Sequence, residues 1–376
     1  MEERRRGKEV SSRVYFMDLR ASSRENLLDK FERLLKTAHI GNLGLQDRFV
    51  AIKMHFGELG NLAYIRHNFV GRLVSILRSY GAKPFLTDTN TLYRGSRSDA
   101  ISHLDTAFKN GFNPLTVGCQ VLIADGLRGF DYREIEINLK HFSHAYIASA
   151  VAEADVIVSM NHFKGHELTG FGGAIKNIGM GCASREGKLK MHSTSKPIIS
   201  EESCVSCGMC IRNCNYGAIG FGSSGKADIN YEICTGCGQC IVVCPSEAID
   251  IDWDMSLDAC ERIVEYAYAV LKNKPAFHVS FLTNVSPFCD CWNYNDAPIV
   301  PDIGILASFD PVAIDKASVD LVNGAMVNPF GPLAERELSA SEDKFTIIHP
   351  KTNWKVMLNY AEEIGLGSQS YELIKI

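Results

Sequence analysis

The sequence lacks several features that would place it in a large class of proteins. It has no run of 18 apolar residues, so no segment is long enough to cross a membrane as a helix. It has no basic excess, because 39 lysines and arginines stand against 44 acidic residues, and the net charge of −5 gives no electrostatic footprint for nucleic acid. The charged stretch Glu2–Arg6 has no apolar region after it, so we expect no secretory signal.

Two nucleotide-binding patterns are also missing. The chain contains neither G-x-G-x-x-G nor G-x-x-x-x-G-K-[ST], so no nucleotide cofactor is indicated. Its composition, 46% hydrophobic and 22% charged, is that of a folded protein, and 376 residues suffice for a sizeable core. Cysteine-rich motifs in a chain without an export signal predict a reducing, cytoplasmic location.

The cysteines are the most informative residues, because eight of the thirteen form two runs of one pattern. The runs are Cys204-x-x-Cys207-x-x-Cys210-x-x-x-Cys214 and Cys234-x-x-Cys237-x-x-Cys240-x-x-x-Cys244. This spacing predicts two [4Fe–4S] clusters, because the fourth cysteine of each run ligates the cluster of the other run. One cluster is therefore assigned to Cys204, Cys207, Cys210 and Cys244, and the other to Cys234, Cys237, Cys240 and Cys214.

Zinc is the alternative metal, since paired C-x-x-C motifs also bind zinc, but it would leave the third cysteine of each run unused. The repeat continues past the cysteines, as Cys214–Ile219 matches Cys244–Ile249. Residues 198–252 resemble the bacterial-type two-cluster ferredoxins, with Asn215 where these often have the proline found at 245. The resemblance implies an α+β ferredoxin-like module that transfers electrons.

The rest of the chain alternates between apolar strands and amphipathic helices. Strands are predicted at 49–54, 84–87, 121–124, 156–160, 277–282 and 303–307, and helices at 62–80, 98–110 and 311–322. Ser22-x-x-Glu25 predicts a capping box before a helix, and Asp310-Pro311 predicts an N-cap followed by proline at the first helical position. This alternation favours an α/β fold, with a mostly parallel sheet and flanking helices.

The alternation stops near Ser193 and resumes after the cysteine runs. We therefore expect a discontinuous α/β domain, 1–195 plus 253–376, with residues 196–252 inserted as the ferredoxin-like module. Insertion at an exposed loop costs little free energy. A separate C-terminal domain is the alternative, although about 120 residues with few strands would then need their own core.

Polar residues follow four of the predicted strands. The segments are Lys53–Gly57, Asp88–Asn90, Asp125–Gly129 and Asn161–His166. Ordinary turn chemistry explains any one of them, and for Asp125–Gly129 alone it is the better explanation. Because ligands of open α/β sheets bind outside the carboxyl ends of the strands, four such segments together predict one pocket.

The densest candidate segment runs from Asn161 to His192 and is rich in glycine, histidine and lysine. Histidines supply protons near neutral pH, so His166 and His192, with His162, are the candidate acid–base residues. Lysines and close backbone approach at glycine hold anions, which makes Lys176 a catalytic candidate. The predicted cofactor-binding residues are Lys53, Lys164, Gly172, Gly173 and Asn177. One alternative is that the segment is a mobile solvated loop. Another is that Lys176 only extends from a helix into solvent.

A further cysteine pair, Cys289-x-Cys291, lies in a mixed polar and aromatic stretch. A loop could bring both thiols onto a soft metal, and the alternative is that they are small buried hydrophobes. We expect the pair to face the pocket, whereas Cys119 and Cys260 should be core residues.

Five segments resemble a family filed as domain of unknown function 362, whose members are often fused to a two-cluster ferredoxin. They are Lys53–Gly60, Asn161–His166, Gly172–Gly179, Cys289–Cys291 and Asp310-Pro311. The resemblance covers nearly the whole chain and implies an iron–sulfur protein with an α/β domain and no settled substrate.

A fainter resemblance is to the N-terminal domain of nickel-dependent lactate racemases. That family carries H-x-x-x-G-[YF]-x-G-x-x-K and then a histidine sixteen residues later, and His166, Lys176 and His192 fit this spacing. The resemblance implies that Lys176 bears a nickel pincer cofactor, His192 ligates nickel and His166 is an acid/base. The chain departs from the family at Gly172, where the family has serine, and at Met180, where it has proline.

Together these features predict an iron–sulfur oxidoreductase that passes electrons from two [4Fe–4S] clusters to a small anionic substrate or cofactor. The alternatives are a ferredoxin-type carrier whose large domain docks partners, and a non-redox, racemase-like metalloenzyme. The expected partner is a redox protein or a small molecule, and an additional metal or anionic cofactor and a homo-oligomer are left open.

Overall fold

We analysed a computed structural model of the chain. It describes residues 11–376 except 93–94, 193–195, 215, 235–239, 241–242, 247, 252–255, 337 and 339–341. Across the helices within these ranges, none is both long and apolar enough to cross a membrane.

An eight-stranded sheet forms the centre of the molecule. In chain order the strands are β1 (Ser12–Asp18), β2 (Phe49–Lys53), β3 (Lys83–Asp88), β4 (Gln120–Ile123), β5 (Tyr132–Glu136), β6 (His144–Ala148), β7 (Val156–His162), β8 (Lys164–His166), β9 (Gly170–Gly172), β10 (Pro197–Ile199), β11 (Ile219–Phe221), β12 (Ala227–Ile229), β13 (Ile249–Ile251), β14 (Ala276–Leu282), β15 (Gly304–Ser308) and β16 (Tyr371–Lys375). The large sheet has the order β16-β1-β15-β14-β7-β2-β3-β4, and β15 runs antiparallel to both its neighbours while the other pairs are parallel. The predicted α/β fold with a mostly parallel sheet is confirmed.

Helices cover both faces of this sheet. They are α1 (Leu27–Thr37), α2 (His67–Ser79), α3 (Ala100–Lys109), α4 (Pro114–Val117), α5 (Ser149–Glu153), α6 (Ala174–Cys182), α7 (Arg185–His192), α8 (Met209–Asn213), α9 (Ser256–Leu271), α10 (Pro311–Gly324), α11 (Lys344–Ile348) and α12 (Trp354–Glu363). Side chains alternate along each strand, so Val50 and Ile52 enter the core beneath α1 and α2, whereas Ala51 enters the core beneath α6, α9 and α10. The sheet therefore separates two apolar cores.

Two predicted helix starts are wrong. Helix α1 is capped by Asn26, whose side chain accepts from the backbone N–H groups of Leu28 and Asp29, and not by Ser22. Helix α2 begins at His67 and not at residue 62. The predicted start of α10 is confirmed. The Asp310 side chain accepts from the backbone N–H groups of Val312 and Ala313, and Pro311 is the first helical residue.

The cysteine-rich segment has small elements of its own. Strand β10 pairs with β13 and β11 pairs with β12, and their apolar side chains join Cys204, Cys210 and Cys240 in a small separate core. The large sheet continues across this segment, since β7 lies directly beside β14. The domain boundaries at 195 and 253 adjoin residues outside the described ranges, and they stay a prediction.

Candidate functional site

The carboxyl ends of the central parallel strands meet through polar contacts. Lys53, at the end of β2, places Nζ 3.0 Å from an oxygen of Asp88 at the end of β3. The backbone N–H of Asn90 donates to Asp125, which follows β4, at 3.0 Å. His162 ends β7 and contacts Asp290, which follows β14, at 2.8 Å. The four segments chosen from the sequence therefore lie along one edge of the sheet.

Lys53 and Asn177 are joined to each other inside this edge. Lys53 is 1% exposed and donates to the side-chain oxygen of Asn177 at 2.8 Å. The Asn177 amide donates to the Asn161 side chain at 2.8 Å and to the Lys53 carbonyl at 3.1 Å. Since these polar groups already have protein partners, they tie α6 to the strand ends, and their predicted part in cofactor binding stays a prediction.

Asp290 is a second buried anchor. It is fully buried, and its carboxylate lies 2.8 Å from Nδ1 of His162 and 3.7 Å from Nζ of Lys164. Burial raises the pKa of Asp290, but His162 and Lys164 outweigh it and lower the pKa to about 2. The Nε2 atom of His162 lies 2.9 Å from the Thr283 carbonyl. Both ring nitrogens of His162 therefore contact protein acceptors, and this histidine connects the end of β7 to Thr283 and Asp290.

Lys164 shares this anchor. Its Nζ donates to the His162 carbonyl at 3.0 Å, in addition to its contact with Asp290. Burial lowers the pKa of Lys164. The negative charges of Asp290 and the Cys289 thiolate raise this pKa by more, so the net shift is upward. Lys164 is thus a permanent cation whose charge is already balanced.

His166 presents one ring nitrogen as a donor. Its Nδ1 accepts from the backbone N–H groups of Leu168 at 3.1 Å and Thr169 at 3.3 Å, so the hydrogen of the neutral ring is on Nε2. Burial, with Lys176 nearby, lowers the pKa of His166 to about 4. The neutral ring shares a hydrogen bond with Cys289, and its Nε2 lies 4.0 Å from Glu167. His166 is therefore a neutral N–H donor at neutral pH.

Cys289 and Cys291 lie in one tight turn, which the Trp292 N–H closes by donating to the Cys289 carbonyl at 3.2 Å. A hydrogen bond from Cys291, the charge of Lys176 and a hydrogen bond from His166 hold the pKa of Cys289 well below its ordinary value, against burial. The predicted position of the pair beside the pocket residues is confirmed. The sequence did not predict how deeply Cys289 is buried, at 2% exposed.

Lys176 is the central charge of this region. It projects from α6, and its positive charge acts on five neighbouring groups, which are His166, Glu167, His192, Cys289 and Cys291. We call Lys176 and these five side chains the Lys176 pocket. Burial and the charges of Lys176 and Lys188 lower the pKa of His192 to about 4. Among the described residues, no side chain forms an ion pair with Lys176.

Glu167 completes the pocket. Trp292 donates from Nε1 to one carboxylate oxygen at 2.7 Å. Burial and the Cys289 thiolate raise the pKa of Glu167 to about 7. This carboxyl group can therefore gain or lose a proton near neutral pH, next to the N–H of His166.

The glycine-rich segment is not a loop, which corrects the loop interpretation. It forms β8, β9, α6 and α7, and its glycines permit close packing within the protein. A Cβ atom at Gly179 would lie 2.1 Å from the Ile263 carbonyl oxygen. At Gly172 a Cβ atom would be in ordinary contact with Lys164 and Lys176, both at 3.5 Å, so Gly172 lies beside the pocket lysines.

Gly173 begins α6 against a buried carboxylate. Asp315, fully buried on α10, accepts from the N–H groups of Ala174 at 2.6 Å and Ile175 at 3.0 Å. Burial raises the pKa of Asp315 to about 7, although the two amide hydrogen bonds lower it. The start of α6 therefore already holds a protein carboxyl group, and the cofactor-binding role of Gly173 stays a prediction.

Replacing Gly173 by alanine is expected to destabilise the fold by about 2 kcal/mol. The new Cβ would lie 2.2 Å from Oδ1 of Asp315 and displace the carboxyl group that caps α6. Urea denaturation under anaerobic conditions measures the change. Gly324→Ala is the matched control, since a Cβ there meets nothing within 4 Å, and its effect should stay within about 0.5 kcal/mol. Equal stabilities of the two variants would contradict the cap.

Four cysteines of the two runs line one cavity. Cys204, Cys207, Cys210 and Cys244 line this cavity together, and they are the set assigned to the first cluster. The two repeats also match in detail, because the Ala218 N–H points at Cys214 Sγ and the Ala248 N–H at Cys244 Sγ, both at 3.3 Å. Four thiolates around one cavity fit a [4Fe–4S] cluster, and they are also a zinc ligand set.

The second predicted ligand set is described in part. Cys214 and Cys234 are partly buried and Cys240 is buried, whereas Cys237 lies outside the described residues. Cys119 and Cys260 lie in the two main cores, as predicted.

The sequence analysis missed three buried carboxyl groups, Glu167, Asp290 and Asp315. Asp315 had a visible signal, because it interrupts the apolar side of the helix predicted at 311–322, between Val312 and Val319. Asp290 and Glu167 had none, since each is an ordinary polar residue next to a motif residue and its partners lie more than a hundred positions away.

The family described as domain of unknown function (DUF362) matches residues 50–320, and the chain belongs to this family. No curated protein matches the chain. Among solved structures, the lactate racemase apoprotein from Thermoanaerobacterium thermosaccharolyticum is similar with 15% identity and a TM-score of 0.39, over 72% of this chain and 50% of that one. A Thermotoga maritima protein solved by structural genomics is similar with 13% identity and a TM-score of 0.36, over 67% and 50%. The chain thus spans half the length of these two proteins.

Proposed function

We propose that this member of the DUF362 family is an iron–sulfur oxidoreductase that transfers electrons to a small anionic substrate or cofactor bound beside Lys176. The observation that carries the proposal is the contrast between the lysines at this edge of the sheet. Lys53 and Lys164 are paired with buried aspartates, whereas Lys176 has no ion-pair partner among the described residues. A cation without a counter-ion attracts a ligand of opposite charge.

The neighbouring groups supply proton transfer. His166 is neutral, so its Nε2–H can donate a hydrogen bond to a bound anion. Glu167, with a pKa of about 7, can give its proton to the reduced anion near neutral pH. His192 is a second neutral ring that feels the charge of Lys176. Two-electron reductions of carbonyl-type anions need this supply of protons.

The electrons would come from two [4Fe–4S] clusters in the segment 196–252. Cys204, Cys207, Cys210 and Cys244 would hold one cluster, and the remaining four cysteines of the runs the other. When bound, such clusters supply one-electron transfer. The duplicated spacing, in which each third cysteine has a ligand role, favours clusters over zinc.

We expect about eight irons per chain, with matching acid-labile sulfide, after anaerobic preparation. Cys214→Ser should remove much of the iron held by the second run, because Cys214 would be the exchanged fourth ligand. Cys119→Ser, in the main core, is the control that should keep full iron content. Two zinc ions without sulfide would refute the clusters, and a second-run cluster unaffected by Cys214→Ser would refute the exchanged ligand set.

A racemase-like enzyme is the second candidate, because Glu167, with a pKa of about 7, and the neutral ring of His192 both feel the charge of Lys176 and could remove and return a proton. Spectroscopy of the reduced protein separates the two. Oxidation of the clusters on adding a substrate supports the oxidoreductase. Turnover with the cluster spectrum unchanged supports the racemase-like enzyme. If neither response occurs, a carrier that docks partner proteins is the remaining explanation.

A further inference from the structure

The Cys289-x-Cys291 pair has a geometry that the proposed function does not use. The turn closed by the Trp292 N–H folds the chain back at Asp290, and this brings the two thiols within hydrogen-bond contact. In an extended strand the backbone between two such residues is straight, so it would not bring the two sulfurs together. The turn therefore converts a short sequence spacing into a contact between two sulfur atoms.

The turn is held rigidly from several sides. The Asp290 carboxylate contacts His162 and Lys164, and the Asp290 carbonyl accepts from the Glu58 N–H at 3.0 Å. The residue between the two cysteines is thus fixed by both its side chain and its backbone. Rigid support of this kind keeps the two sulfurs together in either the thiol or the disulfide state.

The two sulfurs differ in exposure. Cys289 is 2% exposed and lies against His166, whereas Cys291 is partly exposed. Cys289 is stabilised as a thiolate by Cys291, Lys176 and His166, while the hydrogen bond with Cys289 and burial raise the pKa of Cys291. Cys289 is therefore the more buried sulfur and the favoured thiolate, and Cys291 is the more exposed side chain of the pair.

A soft-metal site is the competing use of these thiols, and His166 argues against it. A metal-bound histidine almost always donates its second ring N–H to an acceptor. In His166 that second nitrogen, Nδ1, instead accepts from two backbone N–H groups. Nε2 must therefore keep its hydrogen in the neutral ring, and it cannot ligate a metal held by the two thiols.

We propose that Cys289 and Cys291 form a redox-active dithiol that exchanges with small-molecule disulfides. Cys291 passes its proton to the Cys289 thiolate and attacks one sulfur of the incoming disulfide, which breaks the disulfide bond and releases a thiolate. Cys289 then gives up the proton to that thiolate and attacks Cys291, which breaks the mixed disulfide and releases a second thiolate. The dithiol is oxidised by two electrons, and the small disulfide is reduced to one thiol and one thiolate. This activity goes beyond the proposed function, because it requires neither the clusters nor the anion.

Glutathione redox buffers test the proposal on the full-length protein prepared anaerobically. The protein is equilibrated at a series of ratios of reduced to oxidised glutathione, quenched with acid, alkylated and digested. We expect the peptide that contains both cysteines to lose its two alkylation sites at oxidising ratios and to recover them on adding excess dithiothreitol. A peptide that stays fully alkylated at every ratio would overturn the proposal, and this measurement needs no variant.

Single variants assign the two roles. Cys289→Ser should trap a stable mixed disulfide between Cys291 and glutathione, because the resolving sulfur is gone. Cys291→Ser should react at least tenfold more slowly, since the remaining sulfur is buried. Cys260→Ser, in the main core, should behave like the unaltered protein.

Equal reactivity of the two single variants would overturn the assigned roles. Retention of equimolar zinc by the pair against a chelator would show a metal site in place of the dithiol. Iron content and anion binding are measured separately, so failure here leaves the proposed function standing.

Discussion

Lys176→Ala is expected to abolish retention of an anion in the Lys176 pocket while the fold and the metal content persist. Lys176 is partly exposed and has no ion-pair partner among the described residues, so its loss should change the free energy of unfolding by at most about 0.5 kcal/mol. Its charge nevertheless acts on the pocket without a balancing aspartate among the described residues. Native mass spectrometry of the anaerobically purified protein detects a retained ligand, and calorimetric titration with lactate or inorganic phosphate measures anion affinity.

Lys36→Ala is the matched control for this prediction. Lys36 also projects from a helix, but its side chain is 54% exposed and pairs with Glu32 on the same helix at 2.7 Å. This variant should bind anions as tightly as the unaltered protein. If Lys176→Ala keeps the same ligand at the same affinity, the pocket assignment is wrong, and a carrier whose large domain docks partners becomes the better explanation.

Local sequence signals predicted the strands of the sheet well. Each central strand is a short apolar run, because its two faces are covered by helices, and such runs are visible without tertiary information. The start of α10 was equally local, since the Asp310 side chain and the ring of Pro311 satisfy the helix end by themselves.

Helix starts set by distant contacts were not predictable in this way. Residues 62–66 continue the apolar pattern of α2, but the Leu62 N–H donates to the Asn295 side chain at 2.8 Å and the Asn61 amide donates to the Tyr294 carbonyl at 3.0 Å. These bonds hold the chain in a non-helical path. At α1 the predicted cap fails because Ser22 and Glu25 bond to each other through their backbones, and Asn26 caps the helix instead.

The candidate site was also predictable only where the signal is local in the sequence. His166, Lys176 and His192 were identified by residue type and spacing, and the charge of Lys176 does lower the pKa of both histidines. The carboxyl groups that determine their surroundings were not identified, because Asp290 and Asp315 reach their partners only through the folded sheet edge. Glycine was misleading for a related reason, since glycine at 179 serves helix packing and a ligand-binding glycine has the same appearance in a sequence.

Asp88→Asn is expected to cost about 3–5 kcal/mol of the free energy of unfolding, the largest effect we predict on stability. Asp88 is 3% exposed, and its carboxylate faces the equally buried Lys53 at 3.0 Å and Arg97 at 3.8 Å. An amide of the same shape leaves Lys53 buried without a counter-charge, whereas Arg97 keeps Glu58 at 3.1 Å, and anaerobic urea denaturation measures the loss. The exposed pair of Asp47 and Lys83, 3.9 Å apart, supplies the control, since Asp47→Asn should change stability by less than about 0.5 kcal/mol.

The acid limb of the stability curve provides an independent test of the same pair. Burial raises the pKa of Asp88, but Lys53 and His103 lower it more, so the folded-state pKa lies well below the ordinary carboxyl value. A depressed pKa means that the unfolded chain binds the proton more readily, so the contribution of Asp88 is complete above the unfolded pKa of about 3.9 and is lost as the pH falls below it. Asp88→Asn should therefore lower stability at pH 7 and flatten its decline in acid. A variant with the full acid decline of the unaltered protein would show that other carboxylates determine it, and that the Lys53–Asp88 pair adds little to the stability of the sheet edge.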